Sequence, residues 1–135
     1  MKVEIIGMIG AKTGGSGSRG ADVQVIGGGI DGDHITKFAQ THENSGFDKV
    51  LVGYTSTSAD GFIVAMHAAA HTSQLGFLIA HRPGFVSPTV AARKVATIDQ
   101  LTKGRIALHI ITGGSDSEQR RDGDYLDHDD RYKRS

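Results

Sequence analysis

The side chains able to do chemistry in this chain gather in a few short stretches. Gly53-Tyr54-Thr55-Ser56-Thr57-Ser58-Ala59-Asp60 offers a phenol, hydroxyls and a carboxylate, and His81-Arg82-Pro83-Gly84 sets an imidazole beside a guanidinium. His109 stands inside an apolar run and is followed by Thr112-Gly113-Gly114-Ser115-Asp116. Such residues can hydrogen-bond a ligand or shift a proton near neutral pH. They can equally make turns and helix caps, and the pattern alone does not choose. His109, between Leu108 and Ile110, either points at a ligand from a strand or is a core histidine bonded to a backbone carbonyl. His128 and Tyr132 are four apart and would share a face of a helix. On pattern alone their surroundings read as a solvated, charged segment.

Three further groupings fail on inspection. His67 and His71 have the spacing of a two-ligand zinc face, but residue 68 is Ala and no third ligand stands near, so they read as surface or packing histidines and no metal site is expected. Gly15-Ser16-Gly17-Ser18-Arg19-Gly20 matches a dinucleotide fingerprint by letter. That fingerprint needs its glycines directly between strand and helix, whereas here several residues intervene and no helical period follows. Lys12-Thr13 fails as a phosphate loop because residue 11 is Ala.

The elements that position these groups follow from hydrophobic pattern. Short apolar runs at residues 3–9, 50–52, 77–80 and 106–111 suit strands of a parallel sheet buried on both faces. Helical patterns lie between them. Asp33 is the expected cap of a helix with Ile35, Phe38, Ala39 and His42 on one face, stopping at Ser45-Gly46. Ser58 is the expected cap of the next, with Phe62, Ile63, Met66, Ala69 and Ala70 inward. Ser87-Pro88 starts a third, in which Ala91, Val95 and Ile98 repeat with Leu101 close by, and Gly104 ends it. Strand and helix therefore alternate, as in an open doubly wound sheet or a closed barrel. In both, the loops after the strands form the ligand face. The Gly/Ser-rich stretch 10–32 reads as a long loop on that face, either a functional lid or a tolerated insertion.

Composition excludes several classes. Fifteen Lys+Arg balance fifteen Asp+Glu over 135 residues, so no global field points to nucleic acid or an anionic membrane. No apolar run approaches membrane-spanning length and the N-terminus has no signal-peptide pattern, so a cytoplasmic protein is expected. The chain has no cysteine, which excludes disulfides, thiolate metal sites and cysteine nucleophiles.

The run Ser87-Pro88-Thr89-Val90-Ala91-Ala92-Arg93-Lys94-Val95-Ala96-Thr97-Ile98-Asp99-Gln100-Leu101-Thr102-Lys103-Gly104-Arg105 resembles the helix-to-strand passage of luciferase-like flavin-dependent monooxygenases. His109-Ile110-Ile111-Thr112-Gly113 resembles the strand end that follows it, and Gly123–Tyr132 resembles that family's H-x-x-R-Y segment. The branch it is most similar to is the alkanesulfonate monooxygenases. The resemblance implies an α/β, (β/α)8 TIM barrel of which residues 1–135 form about the first four βα units. It implies reduced FMN as cofactor, O2 as co-substrate and a partner NAD(P)H-dependent flavin reductase. A flavin–oxygen adduct would convert a small organosulfur substrate, an alkanesulfonate, to aldehyde and sulfite. Other branches of the family imply a sulfone, an alkane or a chelator instead; a non-catalytic flavin-binding half-barrel is a further reading.

Carried over residue by residue, His109 takes a flavin-contacting Asn position, and a histidine there departs from the family. His128 and Tyr132 match a pair that contacts flavin or its phosphate. Ser58 falls where alkanesulfonate enzymes often have Cys, and Tyr54 and His81 lie at strand ends that normally face the ring. The main catalytic residues are expected beyond Ser135. The chain is therefore expected to be a fragment, inactive alone, and associated as a homo-oligomer or poorly folded.

Overall fold

The computed structural model describes residues 3–10 and 29–135. The fingerprint-like glycines, Lys12-Thr13 and most of the 10–32 stretch lie outside these residues. The described chain alternates strand and helix: β1 (Ile6–Ile9), α1 (Gly32–Asn44), β2 (Lys49–Val52), α2 (Gly61–Ala70), β3 (Gly76–His81), α3 (Pro88–Leu101), β4 (Ile106–Ile110), then two short helices, α4 (Asp116–Arg121) and α5 (His128–Arg134).

Local chemistry starts each helix, at positions slightly different from those expected. The α1 cap is Asp31, whose Oδ1 accepts from the His34 amide at 2.9 Å, and Asp33 lies inside the first turn. The α2 cap is Asp60, whose Oδ1 accepts from the Phe62 and Ile63 amides. Ser58, the expected cap, sits two residues too early and turns back onto Thr55, accepting from its amide and donating to its carbonyl. Ser87 does occupy the α3 cap with Pro88 next, but its side chain makes no capping bond. That helix ends at Leu101, with Lys103 and Gly104 both at positive φ.

The four strands pair in parallel in the order β1-β2-β3-β4. A doubly wound sheet reverses its strand order at a switch point. This sheet does not, so its order is that of successive units of a barrel. In register, Ile9, Val52, Ile79 and Leu108 form one row, and Met8, Leu51, Leu78 and Ala107 form a row on the opposite face. The first row points to the helices. There Ile9, Val50, Val52, Phe77 and Ile79 pack with Ile35, Ala39, Val64, Ala65, Ala68 and Ile98 in one core. Burying each large side chain contributes ~1.5–3 kcal/mol. The second row is less covered than expected of strands buried on both faces: Ile6 and Met8 are exposed, because no described element packs on that side.

Helix faces also differ in part from expectation. α1 turns Ile35 and Ala39 inward as expected. Its His42 ring lies so close to β1 that a Cβ at Gly7 would meet it at 2.3 Å, so only glycine fits there. α2 turns Phe62 and Ala69 inward as expected and buries Val64, Ala65 and Ala68 as well, while Ile63 is 71% exposed and Ala70 is exposed. A helix apolar almost all round carries no period to reveal its inner face. On α3 only Ile98 is buried, and Leu101 faces outward.

The end of the sheet where the strands begin is tied by satisfied polar groups. Glu43 Oε1 accepts from the amides of Ser73, Gln74 and Leu75. Burial works to raise its pKa, but these three donors and Arg105 hold the carboxyl below the usual range. Arg105 donates to the carbonyls of Thr102, Leu75 and Ala69 and to the Thr72 hydroxyl.

Candidate functional site

The other end, where the strands finish, carries the chemistry. In β4, His109 pairs with Ala80 across the sheet, on the face away from the helices, and is exposed. Strand alternation puts residues 80 and 82 on one side and 81 on the other. Arg82 accordingly joins His109 in a cavity of about 490 Å³, completed by Thr112, Gly113, Gly114, His128 and Tyr132.

The far wall of that cavity comes from α5. Its N-cap is Asp127, whose Oδ1 accepts from the Asp130 amide. His128 and Tyr132 do share a helix face, with ring centroids 4.8 Å apart. The charged segment that carries them is not simply solvated. Arg131 is 1% exposed and donates to the Thr112 carbonyl at 3.2 Å, the Leu126 carbonyl at 2.7 Å and Asp116 Oδ1 at 2.8 Å. One guanidinium thus stitches the β4 end, α4 and α5 together and sets where His128 and Tyr132 stand. Asp124, also buried, pairs with Arg134; that bond leads the causes holding its carboxyl below the usual range, and burial opposes it.

Tyr54 reaches the same region by another route. Its hydroxyl donates to Asp122 Oδ2 at 2.8 Å and its ring lies 4.4 Å from the Arg82 guanidinium carbon. Burial first, then the Asp122 carboxylate, pushes the hydroxyl above the usual range, so Tyr54 is a neutral donor at any ordinary pH. Arg82, 5% exposed, donates from Nη2 to Glu118 Oε1 at 3.0 Å. Glu118 also accepts from the Ser56 amide, which anchors the Tyr54–Asp60 loop to α4.

The six residues singled out from sequence therefore separate. His109, His128 and Tyr132 line one cavity, and Tyr54 adjoins it through Arg82. Ser58 is spent on its own turn. His81 faces the helices, its ring 6.0 Å from Phe62, in a smaller cavity that Lys94, Tyr54 and Arg82 also line, so Arg82 borders both cavities. Burial, and then the Lys94 charge, lowers its pKa. His67 and His71 also serve packing: His67 Nε2 donates to the Gly32 carbonyl at 3.0 Å, tying α2 to the start of α1. Among the described residues no group of three or more His, Asp or Glu could hold a metal. Sequence reasoning set Arg82 among the polar groups at the strand ends and Arg131 within the H-x-x-R-Y segment without giving either a role, and it did not select Glu118 or Asp122. Alternation from His109 through its partner Ala80 points to Arg82; the other three emerge only from the path of the chain after β4.

A parallel sheet in unbroken order, with its polar cavity at the strand ends, defines a barrel-type α/β protein. The pattern of the luciferase-like monooxygenase family matches residues 6–135, and the chain belongs to that family. Among solved structures, it resembles riboflavin lyase RcaE, determined with modified FMN and riboflavin, at TM-score 0.78 and 25% identity over 98% of this chain and 35% of that one. It resembles the long-chain alkane monooxygenase LadA at TM-score 0.68 and 26% identity over 76% of this chain and 29% of that one. The fold also matches the EDTA monooxygenase of Chelativorans sp. BNC1, at TM-score 0.76 and 16% identity over 99% and 34%. The chain spans about a third of these structures.

FMN is the cofactor that this family implies, and the residues fit it. The cavity is of cofactor size. It offers an aromatic pair for a planar ring, backbone without side chains at Gly113 and Gly114, and donors at His109, Thr112 and Tyr132. No described helix is long and apolar enough to cross a membrane.

Proposed function

We propose that this chain supplies the first half of the flavin site of a two-component, FMNH2- and O2-dependent monooxygenase acting on alkanesulfonates. The carrying observation is the meeting of His109, Thr112, Gly113, His128 and Tyr132 around one cavity at the strand ends, in a chain of the luciferase-like family. The alkanesulfonate class follows the branch the sequence is most similar to, while the run Ser87–Arg105 and the strand end after it support the family; the neighbours named above are named for a long-chain alkane, EDTA and riboflavin, and alkane and chelator are the competing substrate classes.

Bound reduced flavin supplies the electrons that activate O2, so that RCH2SO3⁻, O2 and FMNH2 give RCHO, HSO3⁻, FMN and H2O. This chain's residues bind, orient and exclude water. His128 and Tyr132 present ring faces and a hydroxyl. His109 offers a ring nitrogen that donates or accepts. Arg131 fixes the wall on which the aromatic pair stands. A separate NAD(P)H-dependent flavin reductase delivers the reduced cofactor, a homo-oligomer is the working form, and the location is cytoplasmic.

Flavin titration tests the reading. The chain is expected to quench FMN fluorescence on binding, and His109→Ala and Tyr132→Ala to weaken that binding about tenfold each. No quenching by the unaltered chain overturns it. In the complete protein, sulfite release from an alkanesulfonate supports the substrate class; oxidation of an alkane alone overturns that class while sparing the flavin site.

A further inference from the structure

Four buried side-chain polar atoms among the described residues lack a hydrogen-bond partner: Ser56 Oγ, Arg82 Nε, Arg82 Nη1 and Gln119 Nε2. Buried polar groups are nearly always paired, so each orphan asks for a reason. Those of Ser56 and Arg82 lie together. Glu118 Oε1 accepts from the Ser56 amide and from Arg82 Nη2, which gathers both residues around one carboxylate oxygen. Gln119 is the next residue of α4 and its side chain presses on Gly113.

What lies over them is weakly attached. The one buried residue of α4 is Gln119, and no α4 residue belongs to the apolar core. Polar tethers hold the helix and its cap instead: Glu118 to Arg82 and Ser56, Asp122 to Tyr54, and Asp116 to Arg131. Elements with few apolar contacts open at low free energy.

The orphaned set also states what it would receive. Guanidinium and amide nitrogens only donate, and the serine hydroxyl can donate, so the match is to oxygen acceptors. Charge narrows this further. Arg82 brings one positive charge, while Glu118 stands 3.0 Å and Asp122 3.9 Å from its nitrogens. The cluster is already net negative, so a phosphate, sulfonate or carboxylate is repelled and a neutral oxygen is not.

We propose that α4 is a hinged cover over a ligand subsite formed by Ser56 and Arg82, which takes the neutral carbonyl or hydroxyl oxygens of a bound molecule. This rests on the flavin reading, since a flavin carries both kinds of oxygen besides its phosphate.

The test uses the full chain and Ser56→Ala. The Ser56 amide, not its hydroxyl, holds Glu118, so the urea midpoint is expected to stay or rise. Affinity for riboflavin and for FMN is expected to fall equally, by about three- to tenfold. Arg82→Lys keeps the charge, loses the forked donors and should show the same equal fall. Lumichrome, which has the ring without the hydroxylated chain, separates the sources: a matching fall assigns ring carbonyls, an unchanged affinity assigns chain hydroxyls. Hydrogen exchange at the Ser56 amide should be fast relative to Phe77 and should slow with riboflavin bound. Unchanged affinities in both variants, a fall for FMN alone, or Ser56 protected like Phe77 would overturn the proposal. If the unaltered chain binds none of the three flavins, the flavin reading itself fails and the subsite with it.

Discussion

Arg105 and Arg82 mark opposite ends of the same sheet, and their surroundings differ in kind. Arg105 stands just before β4, and each of its three nitrogens has an acceptor. Arg82 stands just after β3 with one nitrogen hydrogen-bonded and two without a hydrogen bond, one of them 3.9 Å from Asp122 Oδ2. The first end also has Glu43 fully engaged by three amides. The second has the orphaned Ser56 and Gln119. Polar groups at the first end close the structure. At the second they are held in readiness, which costs stability and is where binding belongs.

The largest expected effect is at the closed end. Arg105→Met strands the carbonyls of Thr102, Leu75 and Ala69, and should cost about 3 kcal/mol. Chemical denaturation measures this, and flavin affinity of the folded fraction should not change. A changed affinity would break the contrast between the ends.

Gly113→Ala probes the open end. Gly113 has φ +80°, and an added Cβ would lie 1.8 Å from Gln119 Nε2. The backbone penalty is about 1–2 kcal/mol, and the clash should displace α4 while leaving the core intact. Amide exchange should rise across residues 116–122 and stay unchanged at Phe77 and Ile79.

Acid separates the ends more gently. Glu43 and Asp124 both have carboxyls held below their ordinary values. Each therefore contributes stability that is present above the unfolded carboxylate pKa and lost as pH falls through the lower folded value. Glu43→Gln and Asp124→Asn should each flatten part of the acid limb of a stability–pH curve. His81 adds the same sign at higher pH. Its folded pKa lies below 6.5, so the unfolded chain takes the proton first and stability falls on acidification from 6.5 down to the folded value. His81→Asn should remove that slope; an unchanged slope would place its source elsewhere. Ile63→Lys, on an exposed face of α2, should change stability by less than ~0.5 kcal/mol.

How much of this was legible in sequence follows the same division. The strands and the first three helices announced themselves because apolar runs and cap residues are local signals. The caps slipped to Asp31 and Asp60 because several nearby side chains could cap, and the backbone path chose among them. The inner face of α2 was legible only in part, at Phe62, Met66 and Ala69, because nearly all its residues are apolar. His109, His128 and Tyr132 were recoverable from motif and spacing. Arg131 stands in the same motif, but its burial, like that of Gln119 and Asp124, was not legible, because a dense run of charges looks solvated until the fold shows which of them it encloses.

The unbroken order β1-β2-β3-β4 bears on how the chain finds its structure. Leu51 aligns with Leu78 and Leu78 with Ala107, so each strand meets the one made just before it. Each pairing still closes across a whole helical connection, so the parallel sheet forms more slowly than the helices that cover it. During synthesis each new unit adds to a template already in place, and the polar α4–α5 segment follows the four strands it rests on.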